Sequence, residues 1–168
     1  MLKSLTQSQA MWAIFVITLG VILGAWIFQF VGYEPCELCL KQRWAYYAVV
    51  PLSLGFALFT SDKPDTLRAG LILIGLIMVA SCIFGIYHSG VEWKFWAGPT
   101  TCSGGGDVTF KSGLPDLSKP AVMCDEPAIR ILGLSLAAYN AIISATVFIL
   151  SFAKAIQTYG SNSASQYK

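Results

Sequence analysis

Four stretches of the chain lack any charged side chain for about the length that a helix needs to cross roughly 30 Å of bilayer hydrocarbon: 11–31, 44–60, 69–88 and 131–153. The second is the shortest and contains Pro51, so it is expected to take 41–43 as a first turn, with the long stems of Lys41 and Arg43 reaching back to the interface. The first is longer than the apolar core of an ordinary signal peptide, and three further spans follow it, so it reads as an uncleaved helix. The expectation is an all-α, four-helix transmembrane bundle of up-down-up-down order, forming a single integral membrane domain over 1–168. Both termini then lie on one side with the tight loop 61–68 and the polar tail 154–168. Loops 32–43 and 89–130 lie on the other.

Composition agrees with the pattern: 55% of the 168 residues are hydrophobic and 12% charged, about half the charged share of a soluble domain. Net charge is +2 with no run of like charges, which leaves neither a nucleic-acid footprint nor a polybasic lipid-binding segment. Five Lys and Arg fall on the terminus-bearing side (Lys3, Lys63, Arg68, Lys154, Lys168) and six on the other (Lys41, Arg43, Lys94, Lys111, Lys119, Arg130), so the positive-inside rule is nearly silent. The cysteines orient the chain better. Cys36, Cys39, Cys102 and Cys124 all fall in the two loops of the second side, which suits an oxidising compartment.

Those cysteines are also the candidate chemistry. Cys36 and Cys39 form a Cys-x-x-Cys just before the second span, where helix N–H groups favour a thiolate at Cys39, and Arg43 lies one turn further on the same face. The blander readings are a zinc half-site completed by Cys102 and Cys124, and an interface anchor in which Arg43 pairs with Glu37 or Glu34. Cys102 follows Gly-Pro-Thr-Thr and precedes Ser103 and three glycines, so it is expected to be exposed on a mobile turn. The alternative is a structural disulfide to Cys124 that staples the loop. His88, the only histidine, is expected to close the third span, either as an interface residue or as a hydrogen-bonding site residue. Cys82, inside that span, reads as a packing residue. The aromatics of 91–96 and Trp44, Tyr46 and Tyr47 read first as an interfacial belt.

Taken together, these residues resemble the DsbB family of bacterial inner-membrane thiol:quinone oxidoreductases. The resemblance is carried by Pro-Cys-Glu-Leu-Cys-Leu-x-Gln-Arg at 35–43, Ile-Tyr-His at 86–88, Gly-Pro-Thr-Thr-Cys at 98–102, Cys-Asp-Glu at 124–126 and Leu-Gly-Leu-Ser at 132–135. It covers essentially the whole chain. The resemblance implies that Cys36 and Cys39 lie next to a quinone, ubiquinone or menaquinone, with Cys39 attacking it, Arg43 contacting it and His88 near its ring. It also implies that Cys102 exchanges with a periplasmic thioredoxin-fold oxidase of the DsbA type and that Cys124 resolves the mixed disulfide. The implied location is the inner membrane, with termini cytoplasmic, cysteine loops periplasmic and no resident metal.

Two rivals stand beside that reading. One is a non-enzymatic four-span scaffold with structural loop disulfides. It has no use for a cysteine pair followed one turn later by an arginine. The other is a related enzyme dedicated to one special partner, which sequence does not separate from the general case.

Overall fold

The computed structural model describes residues 5–102, 110–111, 114–115 and 123–166. The expectations on Lys3, the 103–106 turn, Lys119 and Lys168 lie outside them. Four long helices dominate: α1 (Gln7–Phe30), α2 (Glu37–Phe59), α3 (Pro64–Glu92) and α4 (Leu136–Gln166). Among the described residues, α1, α3 and α4 are long and apolar enough to cross a membrane. The second helix takes in 41–43 but begins a turn earlier, at Glu37.

Local chemistry sets the helix ends. Thr6 and Gln9 form a reciprocal capping box at the start of α1. Beyond α1, Gly32 takes φ +105°, a conformation that costs glycine little, and the chain turns toward Cys36. Pro64 opens α3 at a position where its missing N–H is no loss. Two expected ends move. The third helix does not close at His88: it runs one more turn to Glu92, because 89–92 hold no breaker strong enough to stop it, and it ends where Lys94 adopts φ +61°. The fourth begins at Leu136 rather than 131. Residues 130–135 instead make a hairpin, β3 (Arg130–Ile131) against β4 (Leu134–Ser135), turning on Leu132 and Gly133 with positive φ at both. Ser135 Oγ then accepts from Ala138 N–H at 3.2 Å and starts α4. A second two-residue pairing joins β1 (Phe110–Lys111) to β2 (Leu114–Pro115).

Packing follows the logic of a bilayer rather than of water. Val16, Ile27, Ile83 and Ile149 point outward and are mostly exposed, so the outer surface is apolar. The interior combines Met11, Ile14, Val49, Leu71, Ile74, Met78 and Val147 with small and polar residues that let helices approach. Gly85 of α3 lies so close to Ala141 of α4 that an added Cβ would meet its backbone N at 2.9 Å. Beside it, Tyr46 Oη donates to Asn140 Oδ1 at 2.6 Å and lies 3.0 Å from Ser144 Oγ, which donates to Ser81 at 3.0 Å. This buried network ties α2, α3 and α4. At the opposite end, Lys154 Nζ donates to Leu5 O at 2.8 Å, joining the end of α4 to the start of α1.

Candidate redox site

Cys36 is the N-cap of α2, and its sulfur accepts the Cys39 N–H at 3.3 Å. The helix terminus therefore serves Cys36 directly, whereas sequence reasoning had assigned its benefit to Cys39. The two sulfurs are hydrogen-bonded at 2.8 Å, and His88 Nε2 lies 3.6 Å from Cys36 Sγ. The Cys39 thiol hydrogen bond is the largest influence on Cys36, and His88 adds to it. Together they outweigh burial and bring its pKa down to about 5.

His88 is 1% exposed and held from two sides. Its Nδ1 is 3.2 Å from Gln42 Nε2, and its Nε2 is 3.8 Å from Glu92 Oε1, one turn further along α3. The imidazole therefore sits against Cys36, inside the helix rather than at its tip. Sequence reasoning assigned no role to Gln42 or Glu92. Gln42 stands in the quoted 35–43 motif, and Glu92 is four residues after His88, a spacing that becomes informative only once α3 is known to continue.

Cys102 and Cys124 form a disulfide. Both are buried, at 4% and 1% exposure, which corrects the expectation that Cys102 is presented to solvent. The reason is that the loop folds back: a 3-10 turn (Thr100–Cys102) places Cys102 in one apolar cluster with Cys36, Leu38 and Cys39, walled by Phe84 and Tyr87. Trp96 stacks on Tyr87 at 6.1 Å and donates Nε1–H to its carbonyl at 2.9 Å, holding the start of the loop against α3. Close approach at Gly90 makes room for that ring. Further along, Lys94 pairs with Asp125, next to Cys124, and keeps that carboxyl below its usual range. With Cys102 and Cys124 joined to each other, the four-cysteine zinc centre is not formed.

On the other side of Cys39 opens an apolar cavity of about 490 Å³ between α1, α2 and α4. Ile17, Val21, Phe28 and Ile143 supply greasy wall, and Glu34, Cys39, Gln42, Arg43, Tyr46 and Asn140 are among the polar points. Arg43 donates to Gln29 Oε1 at 2.7 Å and to Ala25 O at 3.4 Å, both on α1. Glu37 pairs with Lys41 at 2.6 Å, so the anchoring pair expected for Arg43 goes to a lysine instead. Cys39 and Arg43 thus share the cavity wall, while His88 is not part of its lining. Cys82 is a half-buried thiol away from both cysteine pairs.

The family described as Disulfide bond formation protein DsbB matches residues 7–154. The chain is 31% identical over 144 residues to "Uncharacterized protein RP370" of Rickettsia prowazekii (strain Madrid E), covering 80% of each chain. It is 29% identical over 139 residues to Disulfide bond formation protein B of Albidiferax ferrireducens, covering 77% of this chain and 76% of that protein. No solved structure matches it. A family match over nearly all of a chain with membrane-spanning helices, a formed disulfide and a second cysteine pair alongside leads to one conclusion: this membrane protein belongs to the DsbB family of disulfide bond formation proteins.

Proposed function

We propose that the protein oxidises a DsbA-like periplasmic dithiol carrier and passes the electrons to a membrane quinone. The observation that carries this reading is the placement of two cysteine pairs in one cluster, of which one cysteine, Cys39, also faces an apolar cavity whose wall carries Arg43 and Glu34. One pair is suited to each phase. All four helices then span the membrane in up-down-up-down order as one domain, with both termini cytoplasmic and the cysteine end periplasmic. This is supported by the meeting of the end of α1, the start of α2, the end of α3 and the start of α4 around the site.

The residues divide the work. A carrier thiolate attacks Cys102 and Cys124 leaves as a thiolate; the carrier's second thiol then attacks its own sulfur in the mixed disulfide and expels Cys102, so the carrier is released oxidised and Cys102 and Cys124 become a dithiol. Because both are buried, this step requires the loop to open locally. The new dithiol reduces a Cys36–Cys39 disulfide in turn, an exchange within a single cluster. His88, in contact with Cys36, is placed to hold the proton that moves on and off that sulfur.

The cavity fits a quinone: its volume lies in the range of small-molecule sites, its walls are apolar, and Arg43 and Gln42 offer donors beside Cys39. A quinone bound there supplies the sink for two electrons and two protons. Arg43 fixes a permanent positive charge next to the sulfur from which the electrons leave. Ubiquinone and menaquinone both meet these requirements.

The experiment is trapping followed by turnover. With a purified, reduced DsbA-type carrier that lacks its second cysteine, the covalent complex on Cys102 should accumulate, and Cys102→Ser should form none. Trapping of equal extent through Cys36 in the Cys102→Ser chain would assign the pairs the other way round. Failure of the unmutated chain to oxidise the carrier with added quinone would refute the activity and leave a scaffold with structural disulfides.

A further inference from the structure

The end of α3 and the start of α2 bring together a set of donors that the redox reading uses only in part. Cys36 and Cys39 are spaced i,i+3 at one helix start, and His88 and Glu92 are spaced i,i+4 on the facing helix. The sulfur atoms and one imidazole nitrogen lie within 4.8 Å of one another. Glu92 is 7% exposed, and its Oε2 is buried without a hydrogen-bond partner among the described residues. Ser135 hydrogen-bonds this carboxyl but leaves Oε2 without a partner, and a buried polar atom of that kind is costly.

The distances to His88 are close to those of a tetrahedral ion. With Zn–S of about 2.3 Å and Zn–N of about 2.1 Å, a tetrahedral angle puts sulfur and nitrogen about 3.6 Å apart and nitrogen and oxygen about 3.4 Å apart. The structure has His88 Nε2 at 3.6 Å from Cys36 Sγ and 3.8 Å from Glu92 Oε1. The sulfur pair must open from 2.8 Å to about 3.8 Å, which rotation about the Cys39 Cα–Cβ bond can supply, and the Glu92 carboxyl, beside His88 but outside the 4.8 Å group, must swing toward the sulfurs. Ligation through Nε2 needs a proton on Nδ1, and Gln42 can receive it by turning its amide to present Oε1.

We propose that the dithiol form of the protein binds one thiophilic divalent cation, zinc by preference, through Cys36, Cys39, His88 and Glu92. Binding takes up Zn²⁺, forms two Zn–S bonds and releases whatever proton the pair still holds; no electrons move. A Cys36–Cys39 disulfide offers no thiolates and does not bind. The site is therefore specific to one redox state, and bound zinc holds the pair reduced. That last consequence, unlike the binding itself, rests on the proposed function, and it makes zinc a reversible inhibitor of electron exit.

The test uses the full chain in detergent micelles, reduced and freed of reductant, with zinc and its spectroscopic substitute cobalt as probes and no carrier or quinone present. X-ray absorption of the zinc-loaded chain should count two sulfur and two nitrogen or oxygen neighbours. Cobalt should give the visible bands of a tetrahedral thiolate site, abolished by Cys36→Ser and by Cys39→Ser. His88→Gln and Glu92→Gln should each weaken zinc binding at least about tenfold, with helicity checked by circular dichroism. A four-sulfur shell would overturn the proposal in favour of a site shared with Cys102 and Cys124. Unchanged affinity in either His88→Gln or Glu92→Gln would overturn this ligand set, as would equal binding by the disulfide form. The absorption measurement needs no substitution, so a variant that misfolds leaves the test intact. Because none of these readouts involves turnover, they stand apart from the test of carrier oxidation.

Discussion

Replacing Arg43 with alanine removes the cavity's fixed positive charge together with two bonds to α1, at 2.7 Å to Gln29 and 3.4 Å to the Ala25 carbonyl. A hydrogen bond from a charged group to a bound ligand contributes about 1.5 to 3 kcal/mol, so the apparent affinity for quinone should fall by roughly ten- to a hundredfold. The α1 tether is a separate contribution. It is measured with Gln29→Ala, which keeps the charge and loses the shorter bond; a bond of this kind is worth about 0.5 to 1.5 kcal/mol, a loss of roughly two- to tenfold. If Gln29 acts only by positioning the guanidinium, it should have no further effect once Arg43 is alanine. The assay is steady-state carrier oxidation by purified protein, with quinone and carrier varied separately. KM for quinone should rise in the order Gln29→Ala, then Arg43→Ala, while KM for the carrier stays within about twofold, because Cys102 and Cys124 lie in the folded-back loop and not on this cavity. An unchanged quinone KM in Arg43→Ala would refute the reasoning and leave Arg43 as a brace between two helices.

Four further outcomes are expected. Alkylation of Cys36 in the reduced chain should remain fast down to about pH 5 rather than fading below the ordinary thiol value of 9.0, and the profile should move upward in His88→Ala; a midpoint near 9 in the unmutated chain would contradict the thiolate assignment. By the same linkage, this depressed pKa stabilises the reduced fold fully above the ordinary thiol range and loses that contribution as pH falls through about 5, which denaturation of the reduced chain against pH would read. Gly85→Ala should destabilise the helix packing by about 1 to 3 kcal/mol in detergent unfolding, since the new Cβ would meet α4 backbone that cannot yield as a flexible side chain would; a neutral result would mean α3 and α4 are more loosely apposed than described. Single cysteines introduced in 61–68 should react with an impermeant reagent only from the cytoplasmic face, and periplasmic labelling there would rule out the four-span arrangement.

Much of the architecture was legible along the chain because lipid imposes a pattern that needs no tertiary information. A run of about twenty uncharged residues must satisfy its backbone internally, and it does so as a helix wherever it lies. The motif at 35–43 was legible for a similar reason: Cys36, Cys39 and Arg43 are brought to one end of one helix by local geometry alone. Two differences are local: α3 passes beyond His88 for want of a breaker, and 130–135 turns back on Leu132 and Gly133. The third is long-range: Cys102, expected to be exposed before its serine and three glycines, is buried against the cysteine pair of α2.

The sequence by itself determined the class of protein, the apolar helices, the reagents and the end of the bundle where they gather, since hydropathy, helix caps and a Cys-x-x-Cys act over a few residues. Only the tertiary structure decided which groups touch. Fifty-two positions separate Cys36 from His88, and no periodicity encodes that contact; it arises because α2 begins where α3 ends and their side chains are pressed together. The same packing set Gln42 and Glu92 against the imidazole and opened the cavity on the far side of Cys39. It also drew the Cys102–Cys124 disulfide into the cluster of the first pair. Burial and proximity, which tune a thiol and define a ligand set, are properties of the assembled helices rather than of any one segment.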